Sequence, residues 1–308
     1  MTTSMRAVTV QAPGKVNVGF SVGGLRSDGY HEVATLLIAL SHRDLVTIQP
    51  ARGLRLTVSG PTSGQVPEDE SNLAAQAALR LAKFRGIRPD VHIRIRKNIP
   101  SCGGMAGGSA DAAATLIACN TVWGTGLKAD ELAALAAELG ADVPFCLIGG
   151  AAVGRGRGEV LEPLSAAGPY HWAIAFSDRG LSTPAMFTAL DERRAAARSS
   201  TTPAALPDEL LHAFASGDPR RLASVMFNDF EQAAMEEYPA LRKTREAGLN
   251  AGALTGILSG TGATYAFLAE SEAAAHSVAE KLRTLSTCAA VHVVHGPVPG
   301  PRLLSTSR

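Results

Sequence analysis

A glycine-rich segment at residues 99–111 is the part of the sequence whose composition most directly indicates chemistry. It reads Ile-Pro-Ser-Cys-Gly-Gly-Met-Ala-Gly-Gly-Ser-Ala-Asp, and it lies between a β-like run and a helix-like run. Because glycine has no Cβ and permits positive φ, successive backbone N–H groups in such a loop can turn toward one anion. A following helix adds unpaired N–H groups and the positive end of its dipole. The segment therefore predicts an anion site suited to a di- or triphosphate.

The motif differs from two common phosphate-binding loops. No Gly-Lys-Ser/Thr follows, which excludes a Walker loop, and the spacing does not match a dinucleotide fingerprint. A flexible linker or an ordinary tight helix entry would also explain the glycines, but the strand–loop–helix order argues against both. Ser109 can donate its hydroxyl to a phosphate or hold Mg²⁺. The predicted phosphate-site residues are Pro100, Ser101, Cys102, Gly103, Gly104, Met105, Ala106, Gly107, Gly108, Ser109 and Ala110.

Three other segments could carry chemistry, although each has an ordinary structural explanation when taken alone. Lys15 follows a Pro-Gly break and precedes a strand-like run, where a lysine is usually on the surface. Asp142 lies just past the end of a predicted helix among apolar neighbours, where an aspartate usually hydrogen-bonds a turn. Residues 259–264, Ser-Gly-Thr-Gly-Ala-Thr, could form a hairpin turn between two strands.

Hydrophobic periodicity indicates the elements that must position these segments in the first half of the chain. Alternating or β-branched runs predict strands at residues 6–10, 16–22, 33–40, 46–49, 54–58 and 91–96. Helical spacing predicts helices at residues 72–84, 109–122 and 130–139. Ser71 and Asp130 are the expected N-caps of the first and third helices, and Gly140 the expected stop of the third.

The second half of the chain has a different pattern of predicted elements. Strands are predicted at residues 172–176, 253–258, 265–269 and 291–295, and helices at 183–190 and 272–285. Residues 191–207 are polar and rich in Ala, Ser, Thr and Pro, which predicts mobility, and the proline-containing tail from Gly296 is expected to be loose. Strands and helices without regular βαβ alternation predict an α+β protein of two domains, residues 1–165 and 166–308.

Composition argues against several classes of protein. Lys and Arg number 29 against 28 Asp and Glu, so the excess of basic residues typical of a nucleic-acid binder is missing. The four cysteines include no C-x-x-C pair, which argues against a zinc site or a disulfide framework. No window reaches the ~18 apolar residues needed to span a bilayer. A reducing cytoplasm is the expected location.

Taken together, these four segments resemble the GHMP kinases, the superfamily of galactokinase, homoserine kinase and mevalonate kinase. The superfamily pattern Pro-x-x-x-Gly-Leu-Gly-Ser-Ser-Ala corresponds to residues 100–110. The Gly-Gly-Ser-Ala-Asp ending, the pentapeptide Asp-Gly-Tyr-His-Glu at 28–32 and Ala-Asp-Val-Pro at 141–144 are similar to the diphosphocytidyl kinases within it. The resemblance extends over about residues 12 to 267, with the motifs in the same order.

The resemblance implies a fold and an activity. An N-terminal domain like domain 2 of ribosomal protein S5 would be followed by a ferredoxin-like domain, with ATP and the acceptor in the cleft between them. The expected reaction is phosphorylation, with ATP and Mg²⁺, of the 2-hydroxyl of 4-diphosphocytidyl-2-C-methyl-D-erythritol. Another GHMP kinase acting on homoserine, mevalonate or a sugar is the nearest alternative. A non-catalytic S5-like domain that binds RNA or protein is a further one, but Lys15 and Asp142 are both present.

The resemblance also implies roles for individual residues. Lys15 and Asp142 would form the catalytic pair. The acceptor's cytosine would lie against Tyr30 and Phe187, and His31 would read its edge. The remaining implied contacts are Asn17 with the methylerythritol or phosphate groups, Asn72 and Lys97 with the adenosine of ATP, and Gly260, Thr261 and Gly262 with the acceptor.

Three loop positions depart from the family pattern or bear on its chemistry. Met105 replaces the usual Leu and keeps apolar volume. Ala106 replaces a glycine, so a positive φ there would cost on the order of 1 kcal/mol. Cys102, if exposed, would make the protein sensitive to oxidation.

Overall fold

The computed structural model describes residues 7–100, 103–198 and 202–307. The strands are β1 (Ala7–Leu25), β2 (His31–Pro50), β3 (Arg55–Ser59), β4 (Val91–Arg96), β5 (Ala151–Arg155), β6 (Val160–Leu164), β7 (Tyr170–Ser177), β8 (Phe227–Asn228), β9 (Thr255–Leu258), β10 (Tyr265–Ala269), β11 (Cys288–Gly296) and β12 (Arg302–Ser307). The helices are α1 (Leu73–Arg85), α2 (Gly107–Val122), α3 (Ala129–Leu139), α4 (Val143–Ile148), α5 (Thr183–Ala196), α6 (Asp208–Ala215), α7 (Pro219–Ala223), α8 (Glu231–Glu237), α9 (Ala240–Asn250) and α10 (Glu272–Leu282).

The first sheet is built on a long antiparallel hairpin of β1 and β2. Its order is β12-β1-β2-β4-β3, with β5 paired to β2, β6 to β5 and β8 to β1. The β1–β2 register shifts between Pro13 and Lys15 and again between Asn17 and Gly19. Irregularities of this kind re-aim side chains next to active sites. They occur on both sides of Lys15, one of the predicted catalytic residues.

Helix α2 occupies the centre of the helical layer that covers this sheet. Its alanine-rich sequence favours helix and, because the side chains are small, lets the helix pack closely against its neighbours. Ala112, Ala113, Ala114 and Ala118 are completely buried in the core shared with β1, β2 and α1. The N-terminus of α2 is thereby held rigidly at the end of the glycine-rich segment.

The second sheet is antiparallel, in the order β11-β7-β10-β9. Strand β10 is buried along its whole length, and Tyr265 and Phe267 belong to a core shared with α8, α9 and α10. The hairpin of β9 and β10 carries residues 259–264 at its turn. Two sheets with helices packed on them confirm the α+β class.

The structure corrects several local predictions. The prediction that the tail from Gly296 is loose is wrong, because Arg302–Ser307 forms β12 on the edge of β1. Strand β1 continues through Pro13 and Gly14. Helix α5 extends to Ala196, into the stretch expected to be mobile. The N-cap of α1 is Asn72 rather than Ser71, and that of α3 is Lys128 rather than Asp130.

The division at residue 165 stays a prediction. Strands β8 and β12 both come after that residue, yet both pair with β1 of the first sheet. The chain therefore returns twice from its second half to the sheet that carries Lys15.

Candidate active site

One cavity of about 360 Å³ is lined by all four segments that the sequence singled out. Of the predicted site residues, those lining it are Lys15, Asn17, Pro100, Gly103, Gly104, Ala106, Gly107, Gly108, Ser109, Asp142, Phe187, Gly260 and Thr261. Those outside its lining are Tyr30, His31, Asn72, Lys97, Met105, Ala110 and Gly262. Ser101 and Cys102, with the prediction of oxidation sensitivity, lie outside the described residues.

Lys15 is not the surface lysine that its sequence context would suggest. Its side chain is only 4% exposed, and its Nζ lies 3.8 Å from Asp142 Oδ2. The same Nζ donates to Asn17 Oδ1 at 2.7 Å and to the carbonyl oxygen of Gly104 at 2.7 Å. The ammonium is therefore held at the meeting point of β1, the glycine-rich loop and the start of α4.

Asp142 does not have the capping role that its position suggests. It occupies the N-cap position of α4, but its side chain accepts no capping hydrogen bond and its φ and ψ are −82° and −16°. The carboxylate is 40% exposed and lines the cavity. It is available to accept a proton from a bound hydroxyl group.

The glycine-rich loop packs directly against the turn at 259–264. The carbonyl oxygen of Gly104 also accepts a hydrogen bond from Ser259 Oγ at 2.9 Å. Gly104 has φ +71°, and a Cβ there would come within 1.9 Å of the Ser259 carbonyl oxygen. The close approach therefore requires glycine at 104, and it places the loop beside Gly260.

The N-terminus of α2 faces the cavity. Gly107, Gly108 and Ser109 line it, and the first N–H groups of a helix have no partner within the helix. Ala106 adopts the left-handed conformation, with φ 56° and ψ 34°. The positive φ of this alanine costs about 1 kcal/mol, so backbone strain is present where α2 begins. The geometry suits an anion with several oxygens.

Of the residues predicted to contact a pyrimidine, Phe187 lines the cavity, whereas Tyr30 and His31 lie outside its lining. The ring of His31 stacks on Phe187 at 4.8 Å between centroids, and His31 Nε2 lies 2.9 Å from Asp191 Oδ2. One face of Phe187 is thus covered by His31. Tyr30 is 54% exposed, and the guanidinium of Arg157 lies 5.0 Å from its ring centroid.

Thr35 is a cavity residue that the sequence analysis missed. Asn17 Nδ2 donates to Thr35 Oγ1 at 2.7 Å, and Thr35 Oγ1 donates to the carbonyl oxygen of Gly19 at 2.8 Å. These bonds orient the amide of Asn17 so that its oxygen faces Lys15. Thr35 is the one polar residue of the apolar run 33–40 in β2, a pattern too common to indicate a site.

A buried ionic cluster behind the loop was also missed. Lys97 Nζ donates to Asp44 Oδ2 at 2.5 Å and to Asp111 Oδ2 at 2.7 Å, and all three side chains are at most 2% exposed. Asp44 Oδ1 accepts from the backbone N–H groups of Asn98 and Ile99. The cluster therefore joins β2, the start of the glycine-rich loop and the first turns of α2.

Lys97 and Asn72 were assigned to the adenosine of ATP. The Lys97 ammonium donates hydrogen bonds to the side chains of Asp44 and Asp111. Asn72 Oδ1 accepts from Ala74 N at 2.9 Å and caps α1, while the neighbouring Leu73 lines the cavity. Contacts of these two residues with adenosine stay a prediction.

The cluster makes stability depend on pH. Burial raises the pKa of Asp111 to about 8, with the Lys97 ammonium opposing and the Asp44 carboxylate adding to it. Between the unfolded value of 3.8 and about 8, the folded protein binds the extra proton, so stability falls as pH rises through this window. We expect the melting temperature of wild type to fall more steeply from pH 5 to pH 8.5 than that of Asp111→Asn.

Thermal melts at several pH values measure this difference. The matched control is Asp208→Asn, which removes an exposed carboxylate from the first turn of α6 and should keep the wild-type slope. Equal slopes for wild type and Asp111→Asn would show that Asp111 is ionised throughout.

Within the described residues, no helix is long and apolar enough to cross a membrane. In the same part of the chain, no group of three or more His, Cys, Asp and Glu side chains is arranged to hold a metal ion.

Family models match segments in both halves of the chain. Residues 72–150 match the model described as GHMP kinases N terminal domain, and residues 210–286 match GHMP kinases C terminal. A 4-diphosphocytidyl-2-C-methyl-D-erythritol kinase of Streptomyces avermitilis is 48% identical over 97% of this chain and 100% of its own length. One of Mycolicibacterium smegmatis is 49% identical over 97% of this chain and 92% of its own.

Solved structures extend the comparison to the fold. A crystal structure of 4-(cytidine 5'-diphospho)-2C-methyl-D-erythritol kinase has a TM-score of 0.77 at 32% identity, covering 94% of this chain and 99% of that one. A homoserine kinase from Cytophaga hutchinsonii has a TM-score of 0.74 at 21% identity, covering 99% of each chain, and shows the fold alone. The two-domain fold expected from the resemblance is confirmed. The chain belongs to the GHMP kinases, in the family of 4-diphosphocytidyl-2-C-methyl-D-erythritol kinases.

Proposed function

We propose that this enzyme transfers the γ-phosphoryl group of ATP to the 2-hydroxyl of 4-diphosphocytidyl-2-C-methyl-D-erythritol, in the non-mevalonate route to isoprenoid precursors. One observation carries the proposal. Lys15, Asp142 and the N-terminus of α2 meet in a single cavity, with Lys15 Nζ 3.8 Å from Asp142 Oδ2. A cation, a carboxylate and a helix N-terminus are the groups that in-line phosphoryl transfer to an alcohol needs.

Each group has a distinct role in this proposal. Backbone N–H groups of the loop and α2 bind the phosphates of ATP. Asp142 accepts the hydroxyl proton as the new P–O bond forms. Lys15 stabilises the negative charge on the transferring phosphoryl group and keeps Asp142 in position. The acceptor hydroxyl is tertiary and crowded, so alignment contributes a large part of the rate.

Mg²⁺ fits the oxygen atoms that line the cavity. Ser109 and Asp142 both line it, and oxygen ligands are those that Mg²⁺ prefers. We propose that Mg²⁺ is held mainly by the ATP phosphates and water, with Ser109 as the protein ligand. When bound, it supplies neutralising charge to the phosphates.

An assay of ATP consumption with several acceptor alcohols tests the function. We expect turnover with 4-diphosphocytidyl-2-C-methyl-D-erythritol and none above background with mevalonate or homoserine. Preferred turnover of mevalonate or homoserine would contradict the proposed acceptor while leaving the kinase chemistry in place. No turnover with any of them would contradict the function itself.

The pyrimidine contacts are tested by Tyr30→Ala and His31→Ala. Loss of a stacking or edge contact is expected to raise the acceptor's KM about 10-fold or more, because base–aromatic stacking contributes about 1–3 kcal/mol. The KM for ATP should be unchanged, since the loop and α2 are untouched. Steady-state kinetics with each substrate varied in turn measure both constants. Unchanged KM values for both substrates would remove Tyr30 and His31 from the acceptor site.

A further inference from the structure

Arg157 lines the candidate active site but was not among the predicted site residues. It lies in the turn between β5 and β6, a turn closed by a hydrogen bond from Gly158 N to the Arg155 carbonyl oxygen at 2.9 Å. Val33 N of β2 donates to the Gly156 carbonyl oxygen at 2.8 Å, which fixes the turn against the first sheet. Arg157 therefore projects from a well-supported backbone.

The side chain of Arg157 has unused hydrogen-bond donors. Its Nε lies 3.4 Å from Glu159 Oε1, and its guanidinium lies over the Tyr30 ring at 5.0 Å. Among the residues that the structure describes, neither terminal nitrogen of the guanidinium donates a hydrogen bond to the protein. The side chain is 35% exposed, and the residue lines the cavity.

Few cationic side chains line the cavity. Lys15 and Arg157 are the two cationic side chains among the described residues that line it. Lys15 is already engaged by Asn17, Gly104 and Asp142. In the proposed function Lys15 serves the transferring phosphoryl group, which leaves Arg157 to compensate the charge of the acceptor's own phosphates. Without a cation those phosphates would carry an uncompensated charge, which is strongly unfavourable when buried.

We propose that Arg157 binds the diphosphate group of the acceptor and thereby helps the enzyme select a nucleoside-diphosphate-linked alcohol. The proposal rests on the proposed function. A guanidinium presents a planar fork that matches two phosphate oxygens. Its contact with Tyr30 puts the phosphate-binding group next to the ring proposed to hold the base. In a nucleoside diphosphate, base and phosphates are joined by one ribose, so the two subsites must be neighbours.

Calorimetric titration with two probes, CDP and cytidine, tests this inference. Both probes carry the base, and only CDP carries the diphosphate. For Arg157→Met we expect the Kd of CDP to rise about 10- to 30-fold, the effect of losing charge-assisted hydrogen bonds, and the Kd of cytidine to change less than about threefold. Arg157→Lys, which keeps the charge without the fork, should lie between wild type and Arg157→Met.

Arg155→Met is the matched control. Arg155 is exposed, lies two residues away in the same strand-turn unit and does not line the cavity. Replacing it with methionine removes the same positive charge as Arg157→Met. The control's Kd for CDP should stay within about twofold of wild type. In kinetics, Arg157→Met should raise the acceptor's KM and leave the KM for ATP unchanged.

The possible outcomes are distinct. Equal weakening of CDP and cytidine would show that Arg157 acts by orienting Tyr30, and would overturn the diphosphate contact. Unchanged binding of both probes would overturn it as well. If wild type binds neither probe, the acceptor assigned in the proposed function fails, and this inference fails with it.

Discussion

Replacing Asp142 with asparagine is expected to lower kcat about 10²- to 10⁴-fold, the usual contribution of a positioned general base. The substitution keeps the size of the side chain and removes its ability to accept the hydroxyl proton. The carboxylate makes no capping hydrogen bond to α4, so the helix does not depend on it, and Lys15 keeps its hydrogen bonds to Asn17 and Gly104. Single-turnover kinetics with saturating ATP and acceptor measure the chemical step directly.

Binding and stability measurements show whether the loss is chemical. Asp142→Asn should keep the affinities for ATP and CDP within a few fold and a wild-type melting temperature. Asp130→Asn is the control, because Asp130 is also acidic and close to a helix N-terminus but is exposed on α3. Near-wild-type kcat in Asp142→Asn would exclude Asp142 as the base and leave alignment by Lys15 and the loop as the source of the rate.

The second large effect is expected for Gly104→Ala, which should lower kcat/KM about 100-fold or more. The added Cβ would lie 1.9 Å from the Ser259 carbonyl oxygen, and the residue has φ +71°. The loop must therefore move away from the 259–264 turn, which breaks the hydrogen bonds from Lys15 and Ser259 to the Gly104 carbonyl oxygen. A displacement of about 1 Å at a reacting centre costs on the order of 10² in rate.

Two variants separate this effect from a general loss of stability. Gly168→Ala adds a methyl group where no atom lies within 4 Å and should be silent. Ala106→Gly relieves a left-handed alanine two residues from Gly104, at the entropic cost of a new glycine, so stability should change by less than about 1 kcal/mol. Full activity of Gly104→Ala would contradict the close approach of loop and turn.

Local patterns in the sequence predict much of the fold because their cause is local. Helix α2 follows from an alanine-rich run, and β10 and α10 from short-range periodicity. Two of the errors arise where a strand depends on a partner that is distant in the chain. Residues 302–307 become a strand only because the edge of β1 is there to pair with them. Pro13 is accommodated within β1 at an irregularity of the β1–β2 register, a feature that no local pattern predicts.

The residues of the candidate site also divide into those that the sequence predicts and those that only the structure reveals. The glycine-rich loop is a candidate from its residue types, and Lys15 and Asp142 are candidates from the family resemblance. The structure brings all three together in one cavity. Thr35 was missed because it is an ordinary residue in its own segment. The ionic cluster was missed because nothing local connects Asp44 and Asp111 with Lys97, which had been assigned to adenosine. Only the packing of β2, β4 and α2 turns the last three into a buried ionic group.

The sequence by itself determined the α+β class, because backbone conformation and hydrophobic periodicity are short-range properties. Its resemblance to the GHMP kinases supplied the expected phosphate loop and the expected catalytic pair, Lys15 and Asp142. The tertiary structure alone decided that Lys15 bonds to Gly104, that Asp142 is free of a capping role, and that Arg157 reaches the cavity. Hydrogen bonds, burial and charge compensation depend on distances of a few ångströms between residues far apart in the chain. Those distances exist only after the two sheets and their helices have packed.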